Sequence, residues 1–323
     1  MKQINVTENL AGQRLDKLLL KVLNKAPKSF IYKMLRKKNI VLNGKKATGQ
    51  EIVKLNDEIK LYLSDETIDK FSMHKKMDIV DFQLDIVYED KNILIVNKPA
   101  GFLSQKASED DLSMVEYVIS YLLETKQINR EQLISFKPGI CNRLDRNTSG
   151  LLIAGKSLSG LQEMAKLLKT RNIDKYYLCI VKGQITEAKT ITGYLSKDQE
   201  KNTVTVSSKS SDESHYICTE YKPLSSNKNY TLLEVKLITG RSHQIRSHLN
   251  SIGHPIIGDY KYGDSKVNSY FKQKYNLKNQ LLHSYRYVFP QLLGPLSNLS
   301  GLEFKASEPE IFKRIRQDLF GLN

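Results

Sequence analysis

The centre of this chain reads Asn142-Arg143-Leu144-Asp145-Arg146-Asn147-Thr148-Ser149-Gly150-Leu151-Leu152-Ile153, so that one carboxylate, Asp145, lies between two arginines. Positive charge on both sides favours the ionised form of an aspartate. An ionised carboxylate on a turn suits nucleophilic attack or general-base chemistry, and its cationic surroundings would attract an anionic polymer. Taken alone, the same residues are also typical of a surface salt-bridge cluster before a buried strand. The interpretation therefore depends on the rest of the chain.

Length and composition indicate a globular protein with room for two domains. The chain has 323 residues, of which 40% are apolar, enough to bury a sizeable core. It contains no apolar run long enough to cross a bilayer and no apolar signal core in residues 1–8, so we expect a cytoplasmic protein without membrane contact. The cysteines, Cys141, Cys179 and Cys218, lack metal-ligand spacing. We expect reduced thiols and no metal site, with Cys141 as a buried small residue.

The positive charge is concentrated near the N-terminus. The whole chain carries a formal net charge of +15, and residues 1–63 hold 12 Lys and 2 Arg against 5 acidic residues, a net charge of +9. The other 260 residues therefore carry only +6. A compact basic segment attached to a nearly balanced body is typical of nucleic-acid binding. The segment is too regularly patterned to be only a basic tail that aids solubility.

Residues 1–63, the N-terminal module, combine two amphipathic helices with a basic hairpin. The spacing predicts a helix from Arg14 to Asn24, and Pro27 opens a second helix that ends near Lys38. A strand at 40–42 leads into the tight turn Asn43-Gly44, and a closing strand follows at 58–63.

This pattern resembles the S4 RNA-binding domain over nearly all of residues 12–63. The resemblance rests mainly on Gly12-Gln13-Arg14-Leu15-Asp16 and on Ile40-Val41-Leu42-Asn43-Gly44-Lys45. It implies that the second helix and the hairpin contact RNA phosphates through basic side chains, which position a protein on RNA rather than specify a base. The candidate side chains are Lys28, Lys33, Arg36, Lys37, Lys45 and Lys46.

From residue 64 to 77 the sequence is polar and charged without periodicity, which predicts a linker between domains. A linker of this length would let the N-terminal module dock independently of the remaining residues, 78–323, which we call the body.

The body begins with a predicted hairpin at 85–88 and 93–96, followed by the turn-forming segment Asn97-Lys98-Pro99-Ala100-Gly101, to which we assign a structural role. An amphipathic helix is predicted at 159–170 and a long strand at 171–183. Side chains two residues apart on a strand share a face, so Lys175 and Tyr177 are expected to point together while Tyr176 faces the other way.

Two segments of the body match motifs of other protein classes. Residues 150–157 satisfy the P-loop pattern, but the residues before Gly150 are polar and those after it are apolar and strand-like, which favours a core strand over a nucleotide-binding loop. His243 and His248 lie five residues apart without an acidic residue between them. A helix would not project them together, so we predict no metal site there.

Four segments, in order, resemble the RluA-type pseudouridine synthases over about residues 80–320. They are Asn97 to Gly101, Asn142 to Ile153, the Lys-x-Tyr segment at Lys175 to Tyr177, and Thr239 to Asp259. Leu282-His283-Ser284 and Phe304-Lys305-Ala306 also fit the C-terminal end of that family. The chain departs from the family at Asn142, where a histidine is usual, and after Gly101; we expect catalysis to survive the change at Asn142.

The resemblance implies both a fold and an active site. The fold would be α+β: a mixed, largely antiparallel sheet flanked by helices, with a small S4 domain in front. Asp145 would be the catalytic carboxylate, Arg246 would pair with it through two parallel hydrogen bonds, and Tyr177 would hold the uracil and assist proton removal. Arg143 would fill the space left by a flipped base, and Lys175 would contact RNA.

We therefore expect a monomeric pseudouridine synthase that needs no cofactor. The RluC branch of the family looks most similar, which implies large-subunit (23S) ribosomal RNA or its assembly intermediates as the substrate. Two alternatives remain open at this point: a synthase that acts on tRNA, and a non-catalytic RNA-binding protein associated with the ribosome. An S4-linked RNA methyltransferase would need a glycine-rich cofactor loop, which the sequence lacks.

Overall fold

The computed structural model describes residues 1–72, 79–198 and 203–322. The N-terminal module contains two helices and four strands: α1 (Leu15–Val22), α2 (Lys28–Arg36), β1 (Lys2–Asn5), β2 (Ile40–Leu42), β3 (Lys45–Lys46) and β4 (Glu58–Leu61). The strands form an antiparallel sheet in the order β1-β4-β2-β3. Both predicted helices and the basic hairpin are confirmed.

Helix α3 (Asp65–Phe71) corrects the prediction of an irregular linker. The Ser64 hydroxyl caps this helix by accepting a hydrogen bond from the Thr67 amide, at 3.3 Å. Ile68 is buried in the core of the N-terminal module, and the Phe71 ring lies 4.4 Å from that of Phe30. Two apolar residues in a seven-residue helix are too few to show a period in the sequence. Residues 73–77 of the predicted linker lie outside the described residues.

The body is built on a large mixed sheet. Its strands are β5 (Ile86–Glu89), β6 (Ile93–Lys98), β7 (Gly139–Ile140), β8 (Ser149–Gly155), β9 (Asp174–Lys182), β10 (Lys189–Asp198), β11 (Thr203–Ser207), β12 (His215–Ser226), β13 (Tyr230–Leu237), β14 (Leu282–Val288) and β15 (Glu303–Lys305). Their order is β11-β10-β12-β13-β9-β14-β8-β6-β5, with β7 beside β8 and β15 beside β14. Among the described pairs only β8 and β14 run parallel, so the predicted mixed, largely antiparallel sheet is confirmed.

Helices cover both faces of this sheet. They are α4 (Met114–Glu124), α5 (Gln132–Ser135), α6 (Leu158–Lys169), α7 (Gln244–Ser251), α8 (Ser265–Tyr275) and α9 (Glu310–Phe320), with a 3-10 helix at Gly294–Leu299. The alternation along β9 separates two cores: Tyr177 and Cys179 face the core with α4 and α7, whereas Leu178 and Ile180 face α8 and α9. None of the helices in the described part of the chain has the length and apolarity to span a membrane.

The N-terminal module packs directly against the body. Phe136, which follows α5, is buried in the core of the module, and Leu158 and Leu161 of α6 pack against the same core. The expectation that the module docks independently is therefore wrong, because these apolar side chains leave water only when the two parts are together.

The three cysteines are free thiols, as predicted. Cys141 is only half-buried, less than the sequence suggested, yet burial raises the pKa of its thiol to about 12.

Candidate active site

A cleft of about 1090 Å³ opens where the loop before β8, strand β9 and the start of α7 meet. Asp145 is the one carboxylate among the described residues that line it, and it lies among Lys and Arg side chains. These are Lys106, Arg143, Arg146, Lys169, Arg171, Lys175, Lys197, Arg241 and Arg246. A concave site with one acid and many cations is suited to an anionic substrate.

Arg246 joins two carboxylates at the base of this cleft. Its Nη1 donates to Asp145 Oδ2 at 2.8 Å, while Nε and Nη2 donate to the two oxygens of Asp259 at 2.7 and 2.9 Å. The predicted pairing of Arg246 with Asp145 is therefore present, but through one hydrogen bond, because the bidentate partner is Asp259. Asp259 is the member of this triad that the sequence analysis missed.

Electrostatics hold the Arg246–Asp259 pair ionised. Burial alone would raise the pKa of Asp259, but the hydrogen bonds and charge of Arg246, together with backbone amides, lower it. Burial acts to lower the pKa of Arg246 as well. The carboxylate of Asp259 and, to a smaller extent, that of Asp145 raise this pKa above its ordinary value. The guanidinium also lies 5.0 Å from the centre of the Tyr262 ring. The Tyr262 hydroxyl lies 2.8 Å from His243 Nδ1, so the start of α7 is tied to the loop that carries Asp259.

The turn that carries Asp145 is held by the loop after β6. Ser104 Oγ donates to the Leu144 carbonyl at 2.9 Å and accepts from the Leu144 amide at 3.1 Å. Arg146 Nε donates to the Gly101 carbonyl at 3.0 Å. Arg146, the arginine after Asp145, thus stabilises the turn. The ion pair of Asp145 is instead formed with Arg246, which lies on the distant helix α7.

Lys98 is a second residue that sequence analysis missed. It is fully buried, and its Nζ donates to the carbonyls of Pro99, Phe102 and Arg146 at 3.0, 2.9 and 3.1 Å. Burial lowers its pKa to about 7, against the charge of Asp145, which raises it. The three N–H bonds of the ammonium group are matched by three carbonyls, so Lys98 joins the segment at 98–102 to the turn that carries Asp145. The signal for Lys98 in the sequence was a lysine placed between a predicted strand and a proline.

Tyr177 and Lys175 both line the cleft from β9, as the alternation predicts. Tyr177 is buried, and burial raises the pKa of its phenol. Burial, with the charge of Arg171, lowers the pKa of Lys175. Tyr176 faces the other side of the sheet, where the Arg286 guanidinium lies 3.8 Å from its ring centre.

The remaining predicted contacts fall in two groups. Arg143 is exposed and lines the cleft beside Asp145. The basic side chains of the N-terminal module are exposed and do not line the cleft: Lys28, Lys33, Arg36, Lys37, Lys45 and Lys46. The structure therefore brings Asp145, Tyr177, Arg246, Lys175 and Arg143 together and leaves the module's cations as a separate surface.

The other motifs have structural explanations. Residues 149–155 form the fully buried strand β8, so the P-loop pattern contains no phosphate-binding loop. His248 Nδ1 pairs with Thr219 Oγ1, whereas His243 faces Tyr262. No cluster of metal-binding side chains occurs among residues 1–72, 79–198 and 203–322.

Comparisons with known proteins agree with this site. The family profile described as RNA pseudouridylate synthase matches residues 92–251, and that of the S4 domain matches residues 13–59. An RNA pseudouridine synthase of Mycoplasma genitalium is 32% identical over 309 residues, covering 93% of this chain and 94% of the relative. The ribosomal large subunit pseudouridine synthase C of Buchnera aphidicola subsp. Baizongia pistaciae is 31% identical, covering 87% of each chain.

Among solved structures, human RNA pseudouridylate synthase domain containing 4 shares the fold, with a TM-score of 0.58 at 21% identity over 72% of this chain and 92% of its own. The class defined by fold and site is therefore the pseudouridine synthase. This chain belongs to the family of RNA pseudouridine synthases, with an S4 domain at its N-terminus.

Proposed function

We propose that this enzyme converts specific uridines of large-subunit (23S) ribosomal RNA to pseudouridine in the cytoplasm, acting as a monomer, with Asp145 as the catalytic carboxylate. The observation that carries the proposal is the Arg246–Asp145 pair, with the two side chains 2.8 Å apart in a basic cleft that also holds Tyr177. Relatives whose names specify the ribosomal large subunit, such as that of Buchnera aphidicola, support the choice of RNA.

The isomerisation breaks the N1–C1′ bond of a uridine, rotates the released uracil and forms a C5–C1′ bond. Asp145, with 26% of its side chain exposed, attacks or deprotonates the ribose or base, while Arg246 keeps it aimed. If Asp145 attacks C1′, the bond that it forms replaces the N1–C1′ bond and breaks again when C5 bonds to C1′. If Asp145 takes a proton instead, it returns that proton before the product leaves. The C5 proton is then lost, its electron pair restores the C5=C6 double bond, and N1 takes up a proton. Tyr177 accepts the proton from C5 as it gives up its own to N1, so that the atoms of substrate and product are the same.

Access to a paired uridine requires that the base leave the helix. Unstacking costs on the order of a few kcal/mol. Arg143, exposed at the mouth of the cleft next to Asp145, is placed to occupy the vacated position. Lys175 and the exposed cations of the N-terminal module contact RNA phosphates and so contribute affinity rather than base specificity.

The direct test is pseudouridine mapping across ribosomal and transfer RNA. Cells that lack the protein are compared with cells restored by wild type or by Asp145→Asn. The proposal expects positions in large-subunit RNA that lose pseudouridine and regain it only with wild type.

Recovery at a tRNA position instead would keep the chemistry and contradict the substrate. Equal recovery by Asp145→Asn would contradict the role of Asp145 and favour a non-catalytic RNA-binding protein.

A further inference from the structure

One edge of β8 has no partner strand over a short stretch in its middle. Strand β6 pairs with β8 along residues 150–155. On the other edge, β14 pairs only with residues 149–150 and β7 only with residues 154–155. The backbone groups of residues 151–153 that face this second edge therefore meet no strand within the described part of the chain. Because these residues are buried, such groups need hydrogen-bond partners from elsewhere.

The side chain of Asn142 supplies partners that a strand would otherwise supply. The Ile153 amide donates to Asn142 Oδ1 at 2.8 Å, and Asn142 Nδ2 lies 3.4 Å from the Leu151 carbonyl oxygen. Since a backbone N–H can only donate, the oxygen of the carboxamide must face Ile153 and its nitrogen must face Leu151. The Cys141 amide donates to the Ile153 carbonyl at 2.7 Å. The pairing of β7 with β8 thus continues through Cys141 and ends on the Asn142 side chain.

The hydrogen-bonding groups of this carboxamide are engaged within the protein. Nδ2 also donates to the Tyr287 hydroxyl at 3.0 Å, and that hydroxyl donates to the Leu151 carbonyl at 3.0 Å. An asparagine side chain has two N–H bonds, and here they go to Leu151 and Tyr287. Asn142 lines the cleft but keeps no N–H bond for RNA. Any effect of Asn142 on the reaction must therefore pass through the backbone that it holds.

The gap in the edge of β8 is where the chain leaves the sheet to form the turn that carries Asp145. Ser104 holds Leu144 in the middle of this turn, and the Thr148 amide donates to the Asp145 carbonyl at 3.0 Å near its end. Asn142, three positions before Asp145, holds its beginning. Misplacement of a reacting group by about 1 Å can lower a rate on the order of 10²-fold, so the start of the turn matters for the reaction.

We propose that Asn142 is a positioning residue that fixes the start of this turn and thereby holds Asp145 in place for the reaction. The inference rests on the proposed function of Asp145. A backbone partner at this edge would carry the chain further along β8. A side-chain partner satisfies the same backbone groups and lets the chain turn into the cleft at once.

The test measures the single-turnover rate on target RNA at saturating enzyme, the affinity for RNA, and urea unfolding. Asn142→Ala removes the hydrogen bonds of the carboxamide and should lower the maximal rate on the order of 10²-fold, with RNA affinity unchanged. Asn142→Asp keeps the shape and the acceptor for Ile153, but an ionised carboxylate has no donor for Leu151 or Tyr287. Its rate should fall about 10-fold.

Asn227→Ala is the matched control. Asn227 is also half-buried, and its carboxamide also binds backbone groups, in the turn between β12 and β13 away from the cleft. It accepts from the Asn229 and Tyr230 amides, both at 2.9 Å, and donates to the Leu319 carbonyl at 3.0 Å. Asn227→Ala should lower the free energy of unfolding about as much as Asn142→Ala, while its rate stays that of wild type. A merely structural role of Asn142 would give the same result for both variants.

If Asn142→Ala fails to fold, Asn142→Asp decides the question. Asn142 variants that keep the wild-type rate, or lose no more of it than Asn227→Ala, would overturn this inference alone when Asp145→Asn is inactive. Conversion by Asp145→Asn at the wild-type rate would overturn the proposed function of Asp145, and this inference with it.

Discussion

Arg246 divides its guanidinium between two carboxylates of different exposure. The Asp145 side chain is 26% exposed and takes one hydrogen bond, whereas the Asp259 side chain is 1% exposed and takes two. The bidentate pair with Asp259 thus fixes the position of Arg246, and the remaining hydrogen bond of the guanidinium goes to Asp145, the proposed catalytic carboxylate. An arginine is needed here because its planar fork has donors on both sides.

Asp259→Asn should weaken both the fold and the reaction. A buried charge left without its partner costs about 3–5 kcal/mol of the free energy of unfolding. Misplacement of Arg246 should lower the single-turnover rate on the order of 10²-fold. Urea unfolding and conversion of target RNA measure the two effects.

Asp174→Asn, which removes an exposed pair with Lys236, is the control and should change little. Wild-type stability and rate in Asp259→Asn would show that Arg246 is held by something else.

The residues proposed for the reaction could be located from the sequence, but the residues that support them could not. Asp145, Tyr177 and Arg246 stand in segments that resemble a known family. Asp259 stands in the same segment as Arg246, yet nothing in its neighbours shows that it, rather than Asp145, takes the bidentate contact. Lys98 acts through carbonyls that the fold brings together from distant positions.

At the scale of elements, the parallel pair β8 and β14 positions the turn that carries Asp145. Gly150 has φ +113°, and a Cβ there would lie 2.1 Å from the Ser284 carbonyl oxygen. Ser149 Oγ and His283 Nδ1, 2.9 Å apart, join the same two strands. Gly150, the first glycine of the P-loop pattern, thus allows the backbones of β8 and β14 to lie close together.

Gly150→Ala should lower the free energy of unfolding by more than about 3 kcal/mol, because the added methyl collides with backbone and the φ angle is unfavourable. Thermal unfolding measures this. Gly139→Ala in β7 is the control, since its Cβ would meet nothing nearer than 3.9 Å. Equal melting temperatures for the two variants would contradict the packing described here.

His283 should make stability depend on pH. Burial lowers its pKa to about 4, against about 6.5 in an unfolded chain. Above pH 6.5 neither state takes up the proton. As the pH falls from about 6.5 to 4, the unfolded chain binds a proton that the folded state does not, so stability falls by about 1.4 kcal/mol per pH unit. Urea unfolding from pH 7 to 4 should therefore show a steeper decline for wild type than for His283→Asn; equal slopes would contradict the account.

The hairpins of the N-terminal module and of β5 and β6, and the helices α1, α2 and α6, were predictable because their periods and turn residues are local. Helix α3 was not predictable. Its one isoleucine and one phenylalanine stand in a polar segment, and only the folded core shows that they are packed. The register shift in β14 between Ser284 and Arg286 was equally unpredictable, because a register is defined by the partner strand.

At the scale of the whole molecule, the N-terminal module and the body pack together, and each carries a basic surface. The cleft of the body and the exposed lysines of the N-terminal module both carry excess positive charge, and Phe136 holds module and body together. Charge counts along the sequence located the basic module. The sequence could not show that it packs against the body, because no local pattern identifies the partner of an apolar residue.

The Lys45→Gln, Lys46→Gln double variant should bind RNA more weakly and almost equally so for every RNA sequence, because phosphate contacts carry no base information. The slope of log affinity against log salt should fall by about 1 to 2. Lys266→Gln, Lys272→Gln removes two exposed charges from α8, on the face of the sheet away from the cleft, and should leave the slope unchanged. Equal effects of the two double variants would mean that only total charge matters.

The central claim is that Asp145 isomerises uridine in large-subunit RNA. It is tested most directly by tritium release from RNA labelled at C5 of uridine, with purified wild type and Asp145→Asn. The account predicts release from large-subunit RNA by wild type, and none above background by Asp145→Asn although it still binds that RNA. Release by Asp145→Asn at the wild-type rate would contradict it.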